Sequence, residues 1–339
     1  MRSLFNCSND MALAADVRQY VPPKRVKQME DELAGLARWW DGTRFAGPWG
    51  WSVAAKQRYR LMGVDECELP DDAWLMTVRQ LSSREFACGY VRELLCAMDD
   101  DRLVGDKMRY VSGEEWRRMP WNKEAMEGHD EAGAMAGPEW LHDFPLIFKS
   151  PWSSSGRGVF VAREMGGNVR ARLDGFVTAQ GGFAADRFYE DKLVDFAMEF
   201  FVEGDGRVEF LGYSVFHAAD GGAYGYNYVD SQERLARMID VDETLLAKLV
   251  RHHESRLGAL GYRGVVGVDM MKVVVDGEVR VHPCVEMNMR MNMGVLSIVL
   301  WDRLREQGGL DGVVELTERR EHGFQAVVDH GKLMITYKR

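Results

Sequence analysis

The sequence predicts an α+β fold in which antiparallel sheets are crossed by helices, and three observations carry that expectation. First, paired runs rich in β-branched and aromatic residues flank short glycine turns: 195–203 and 208–216 around Gly204-Asp205-Gly206, then 265–275 and 278–285 around Asp276-Gly277. Turns of this kind join neighbouring antiparallel strands. Second, Leu245, Leu246, Leu249, Val250, His253, Leu257 and Leu260 form a helical stripe that stops at Gly261, between the two hairpins. A helix must then cross the sheet, which a β-sandwich does not allow. Third, the N-terminal part runs on helical periods, with Met29, Leu33, Leu36, Ala37 and Trp40 on one face and Phe86, Tyr90, Leu94 and Met98 on another.

The 339 residues suffice for two or three packed modules. Residues 1–105 are expected to form an N-terminal α/β domain on the substrate side, broken by turn-rich Gly47-Pro48-Trp49-Gly50-Trp51 and Leu69-Pro70-Asp71-Asp72. Residues 120–142 lack clear periodicity and read as a surface loop or short helix. From Pro145 the texture changes: Leu146-Ile147-Phe148-Lys149 and Gly158-Val159-Phe160-Val161-Ala162 read as two strands around a polar loop.

Bulk properties narrow the function classes. A composition of 46% hydrophobic and 28% charged residues is that of a soluble globular chain. A formal charge of −10 argues against a general nucleic-acid binder, while leaving room for a local cationic pocket. Five cysteines, without CxxC spacing, point to neither a disulfide framework nor a zinc site, and a reducing cytoplasm fits them. Neither a signal-like h-region nor an 18-residue apolar run is present, so no membrane partner is expected. The 20 methionines read as core filling.

Two segments carry chemistry. Lys149-Ser-Pro-Trp-Ser-Ser-Ser-Gly-Arg-Gly158 places a lysine at a strand end and a small-residue loop directly after it. Serine hydroxyls and glycine N–H groups can close over phosphates, and the ammonium adds a point charge. The same loop could also be a plain hairpin connection, and there is no GxxxxGK[ST] sequence to indicate a P-loop NTPase. The second segment, Val285 to Met293, alternates strictly, so that on a strand Glu286, Asn288, Arg290 and Asn292 share one face. Asp269 lies in an otherwise apolar run one hairpin away. It is either paired with Arg280, Arg290 or a lysine, or it joins Glu286 and Asn288 in an all-oxygen site suited to magnesium.

In order and spacing these elements resemble the ATP-grasp superfamily over about residues 106–297: a lysine and Gly-rich loop, an acidic hinge, Asp on one strand, and Glu-x-Asn-x-Arg on the next. The resemblance implies nucleotide bound between two subdomains, 106–185 with the Gly-rich flap and 186–339 with the metal site and C-terminal helices. It implies ATP and Mg2+ as cofactors. Lys107 and Lys149 become nucleotide-contacting lysines, and Ser153, Ser154, Ser155, Gly156 and Gly158 the flap. Asp186 and Glu190 are the hinge candidates; Asp269, Glu286 and Asn288 are metal ligands; Lys149 contacts the nucleotide phosphates, and Arg290 steadies the transferred phosphate or the substrate. The departure from pattern is the hinge, where a glutamate usually ends the strand and the register here is open by several residues. The activity implied is that of a carboxylate–amine ligase acting on a small-molecule or peptide carboxylate and an amine. A kinase that phosphorylates a hydroxyl and a non-catalytic nucleotide-binding regulator are the alternatives. Substrate identity and oligomeric state are not legible in the sequence. His217, His252 and His253 read as core or boundary histidines.

Overall fold

The computed structural model describes residues 2–119, 121, 138–153, 156, 158–218, 224–306, 314–317, 324–330 and 333–338. Two antiparallel sheets organise it. The smaller contains β1 (Arg109–Ser112), β2 (Leu146–Lys149), β3 (Val159–Ala162) and β4 (Gly182–Arg187), in the order β1-β4-β2-β3. The larger contains β5 (Lys192–Val202), β6 (Val208–Ala218), β7 (Tyr224–Val229), β8 (Gly264–Val275), β9 (Glu278–Asn288), β10 (Val314–Thr317), β11 (Phe324–His330) and β12 (Leu333–Lys338), in the order β11-β12-β10-β7-β6-β5-β8-β9.

Both expected hairpins are present. Asp276 and Gly277 have φ of 53° and 80°, the left-handed pair that a two-residue I′ turn needs between β8 and β9. A regular hairpin about that turn keeps Val273 opposite Arg280 and Met271 opposite His282, but the register then shifts and Asp269 faces Glu286. Pro283 lies within the shift. Lacking an N–H, proline is confined to edge strands and bulges, and β9 is the edge strand of this sheet.

The core on one side of the large sheet packs Phe196, Met198, Val266 and Val268 against helices Arg84–Met98, Gln232–Ile239 and Glu243–Gly258. The predicted stripe buries Leu245, Leu246, Leu249, His253 and Leu257 there. His253 stacks on Tyr90 with rings 8° apart, and its Nδ1 lies 2.7 Å from the tyrosine hydroxyl. Burial lowers its pKa to about 3, so it is a neutral core histidine. The other side of the sheet is covered by helix Met293–Glu306 and by N-terminal residues including Phe5, Leu33, Leu36, Trp40 and Trp49.

Two expectations are corrected. The N-terminal α/β domain is a helical layer: residues 2–105 contain helices, and among the described residues their only β contacts are isolated bridges, Leu4 with Pro48 and Leu103 with Val281. That segment lacks the alternating β-branched runs that build strands. Among the described residues the expected C-terminal helices reduce to one, Met293–Glu306, followed by β10, β11 and β12, whose sequences (VELT, FQAVVDH, LMITYK) are rich in β-branched and aromatic residues. Among the described residues no helix is long and apolar enough to cross a membrane.

Candidate nucleotide and metal site

A cavity of about 650 Å³ is lined by both sheets and by the N-terminal layer. Small-molecule sites typically span roughly 300–1,000 Å³. Lys149 lies at the end of β2, fixed by pairing with Val159 of β3 and Ala184 of β4. Its side chain is buried and lines the cavity. Burial and the nearby Arg84 guanidinium pull its proton affinity below that of an ordinary lysine, opposed by Asp186 and Glu286.

The loop after Lys149 turns back through Gly156 and Gly158, with φ of 73° and 69°. Ser150 N–H donates to the Gly158 carbonyl at 2.8 Å, and a Cβ at 158 would fall 2.3 Å from Ser150 Oγ. Glycine at 158 is therefore required twice, by backbone and by space. Ser153 and Gly156 reach the cavity, and Gly158 holds Ser150 through its carbonyl. Ser154 and Ser155 fall outside the described residues.

On the same cavity, Asp269 of β8 pairs in register with Glu286 of β9, and Asn288 Nδ2 donates to Asp269 Oδ2 at 3.0 Å. The pairings that would have made Asp269 an ordinary ion-pair member are taken elsewhere: Arg280 bonds Glu278 at 2.6 Å and Arg290 bonds Asp10 at 2.8 Å. Burial, then the Glu286 and Glu199 carboxylates, hold the Asp269 carboxyl well above the usual range. Two crowded carboxylates and an amide oxygen make a hard oxygen set. Among the described residues no group of three or more His, Cys, Asp and Glu side chains is arranged to hold a metal.

The alternation of polar residues continues beyond the strand, which ends at Asn288. Arg290 lines the cavity with Nε and Nη2 on Asp10. Asn292 turns inward, donating from Nδ2 to Glu199 Oε2 at 2.8 Å and accepting from Val295 N at 2.9 Å to start the helix Met293–Glu306. Its partner Glu199, on β5, also accepts from Ser214 Oγ at 2.8 Å. Burial lifts Glu199 to about 7 against those two hydrogen bonds. Space for it comes from Gly267 and Gly294, where an added Cβ would lie 2.7 and 2.0 Å from its carboxylate oxygens.

The hinge candidates separate. Asp186 is buried on β4, where Oδ1 accepts from Arg187 N at 2.7 Å and Oδ2 lies 3.1 Å from His282 Nε2. Glu190 is exposed at the cavity rim and pairs with Arg163 at 2.7 Å. Lys107 is not brought to the cavity: half-exposed, it pairs with Asp143 at 3.3 Å. In the Gly105-Asp-Lys-Met turn, Gly105 approaches His282 so closely that an added Cβ would lie 2.8 Å from its Nε2.

Arg84, from the N-terminal layer, also lines this cavity. Ser83 caps the helix Arg84–Met98 through Phe86 N, making Arg84 its first residue. The buried guanidinium gives Nη1 to the Ser150 carbonyl at 2.7 Å and to Ser153 Oγ at 2.8 Å, and Nη2 to Glu286 Oε1 at 2.8 Å. A cation in the first turn opposes the helix macrodipole. That mismatch was the one signal available before the structure.

No family model matches the sequence, and no curated protein matches it. Solved structures do resemble the fold. One is N5-carboxyaminoimidazole ribonucleotide synthetase from Thermus thermophilus, at 15% identity over 99% of this chain and 92% of that one, with a TM-score of 0.47. Another is a biotin carboxylase complex from Campylobacter jejuni, at 12% identity over 99% and 86%, with a TM-score of 0.44. A third is the biotin carboxylase domain of the Hydrogenobacter thermophilus 2-oxoglutarate carboxylase, crystallised with MgADP, ADP and bicarbonate, at 13% identity and a TM-score of 0.36. That match covers 57% of this chain, which spans about half the length of its counterpart, 52%.

Proposed function

We propose that this protein is an ATP-grasp ligase that uses ATP and magnesium to activate a carboxylate as an acyl phosphate for attack by an amine. The observation that carries the reading is the convergence on one cavity of Lys149, a serine–glycine loop, and the Asp269–Glu286–Asn288 oxygen set. Cationic and anionic groups lining one small-molecule cavity suit a nucleotide whose phosphates carry a divalent ion.

Magnesium, held by Asp269, Glu286 and Asn288, would supply neutralisation of phosphate charge. Lys149 binds the phosphates as a buried point charge, worth more in a water-poor cavity than on the surface. Ser153 Oγ and the Gly156 N–H donate to phosphate oxygens and help keep water from a hydrolysable acyl phosphate. Arg290, steadied by Asp10, faces the same space from the N-terminal side, where it orients the carboxylate to be activated. Phe5, Met29, Leu33 and Trp49 line that end and give the acid substrate an apolar wall.

The test is phosphate release from ATP with pooled carboxylic acids and amines. Release that requires magnesium, an acid and an amine together supports the reading. ADP formation without free phosphate, on a hydroxyl substrate, would replace it with a kinase.

A further inference from the structure

We propose that Arg84, from the N-terminal layer, is a phosphate-contact residue of the loaded site, held in reserve on Glu286 until a divalent cation takes that carboxylate. This rests on the nucleotide reading above. Arg84 is 3% exposed and lines the cavity. Burying a guanidinium costs several kcal/mol unless its charge and N–H groups are matched. Here the matching is partial. Two of its hydrogen bonds go to neutral oxygens of the Lys149 loop, its single carboxylate partner among the described residues is Glu286, and Nε has no partner among them.

Glu286 is also opposite Asp269 in the oxygen set. One carboxylate is thus shared between a buried arginine and the place a cation would occupy. A divalent ion that draws on Glu286 leaves Arg84 without its counter-charge, in a buried position it shares with a second cation, Lys149, whose proton affinity Arg84 already lowers. Two adjacent buried cations on a cavity wall call for an anion between them. The polyphosphate end of a nucleotide is the anion that arrives with the metal. Because Nη1 also holds Ser153 Oγ and the Ser150 carbonyl, the exchange links metal entry to the position of the phosphate-covering loop.

The two roles of Arg84 predict effects of opposite sign, which a merely structural strap does not produce. Calorimetric or fluorescence titrations of the full chain would compare wild type, Arg84→Met and Arg84→Lys with Mn2+ alone, with MgATP and with adenosine. Losing one or two charge-assisted hydrogen bonds should weaken MgATP about 10- to 100-fold in Arg84→Met. Adenosine, which lacks phosphate, should bind unchanged. Mn2+ alone should bind more tightly, because its competitor for Glu286 is gone. Arg84→Lys, which keeps the charge but loses the three-way fork, should show the same pattern at smaller amplitude and keeps the test open if the methionine variant does not fold. Equal weakening of MgATP and adenosine, or Mn2+ binding that is unchanged or weaker, would overturn the proposal while leaving the nucleotide site intact. Wild type that binds neither MgATP nor adenosine would remove both the proposal and the reading it rests on.

Discussion

Glu199 makes stability depend on pH in a direction opposite to that of an ordinary surface carboxylate. It is 1% exposed, wedged between Gly267 and Gly294, and its pKa rises from 4.5 to about 7 on folding. Between those values the unfolded chain has already released the proton and the folded chain has not. The folded state then binds more protons, and the contribution of Glu199 to stability falls as pH rises from about 4.5 to about 7 and is level outside that window. At about 1.36 kcal/mol per unit the loss is about 3 kcal/mol. Replacing Glu199 by Gln removes the titration and keeps the side chain's size; Ser214 Oγ can accept in place of donating. Urea unfolding of wild type and Glu199→Gln, followed by tryptophan fluorescence from about pH 4.5 to about pH 8, isolates the group. The stability difference should move by about 3 kcal/mol in favour of Gln across the window. A difference that is flat with pH would refute the reasoning.

Other perturbations follow from the same contacts. Tyr90→Phe leaves the buried His253 Nδ1 without its 2.7 Å partner and should cost about 1–3 kcal/mol in denaturant unfolding with nucleotide binding preserved. Gly294→Ala forces a Cβ to within 2.0 Å of Glu199 Oε1 and should lower the unfolding midpoint, an overpacking cost of about 1–3 kcal/mol. Lys149→Ala should reduce turnover about 10²–10³-fold in the phosphate-release assay, by loss of a buried electrostatic contact. Gly158→Ala, strained at φ 69° and colliding with Ser150 Oγ, should weaken MgATP binding in titration while leaving adenosine binding near that of wild type.

Local signals made the hairpins and the crossing helix legible. Asp-Gly and Gly-Asp-Gly select turns, and a leucine stripe ending at glycine selects a helix, whatever the rest of the chain does. The facing of Asp269 and Glu286 was harder. An unbroken two-residue hairpin would set Asp269 against Cys284, and the register shift that contains Pro283 brings Glu286 there instead. Proline in a strand is a legible sign of such a break, though not of its length. Lys107 lies off the cavity, paired with Asp143, and a turn motif fixes its backbone but not the direction of its side chain. Arg84 and Asp10 were out of reach for another reason: their partners lie 202 and 280 residues away, and no local pattern encodes such pairs. Glu199 looked like any acid on a half-exposed strand, and only the glycines packed on it, from β8 and the helix Met293–Glu306, reveal a built position.

The most direct measurement of the proposed nucleotide site is the thermal unfolding midpoint of wild type and Glu286→Ala with ATP, with and without magnesium. A ligand that binds only the folded chain raises the midpoint, by about 2.7 kcal/mol of stabilisation at a hundredfold excess over its Kd. A magnesium-dependent rise in wild type that disappears in Glu286→Ala is the predicted result. No rise at saturating MgATP, or an equal rise in both proteins, would contradict a phosphate-binding site built on Glu286.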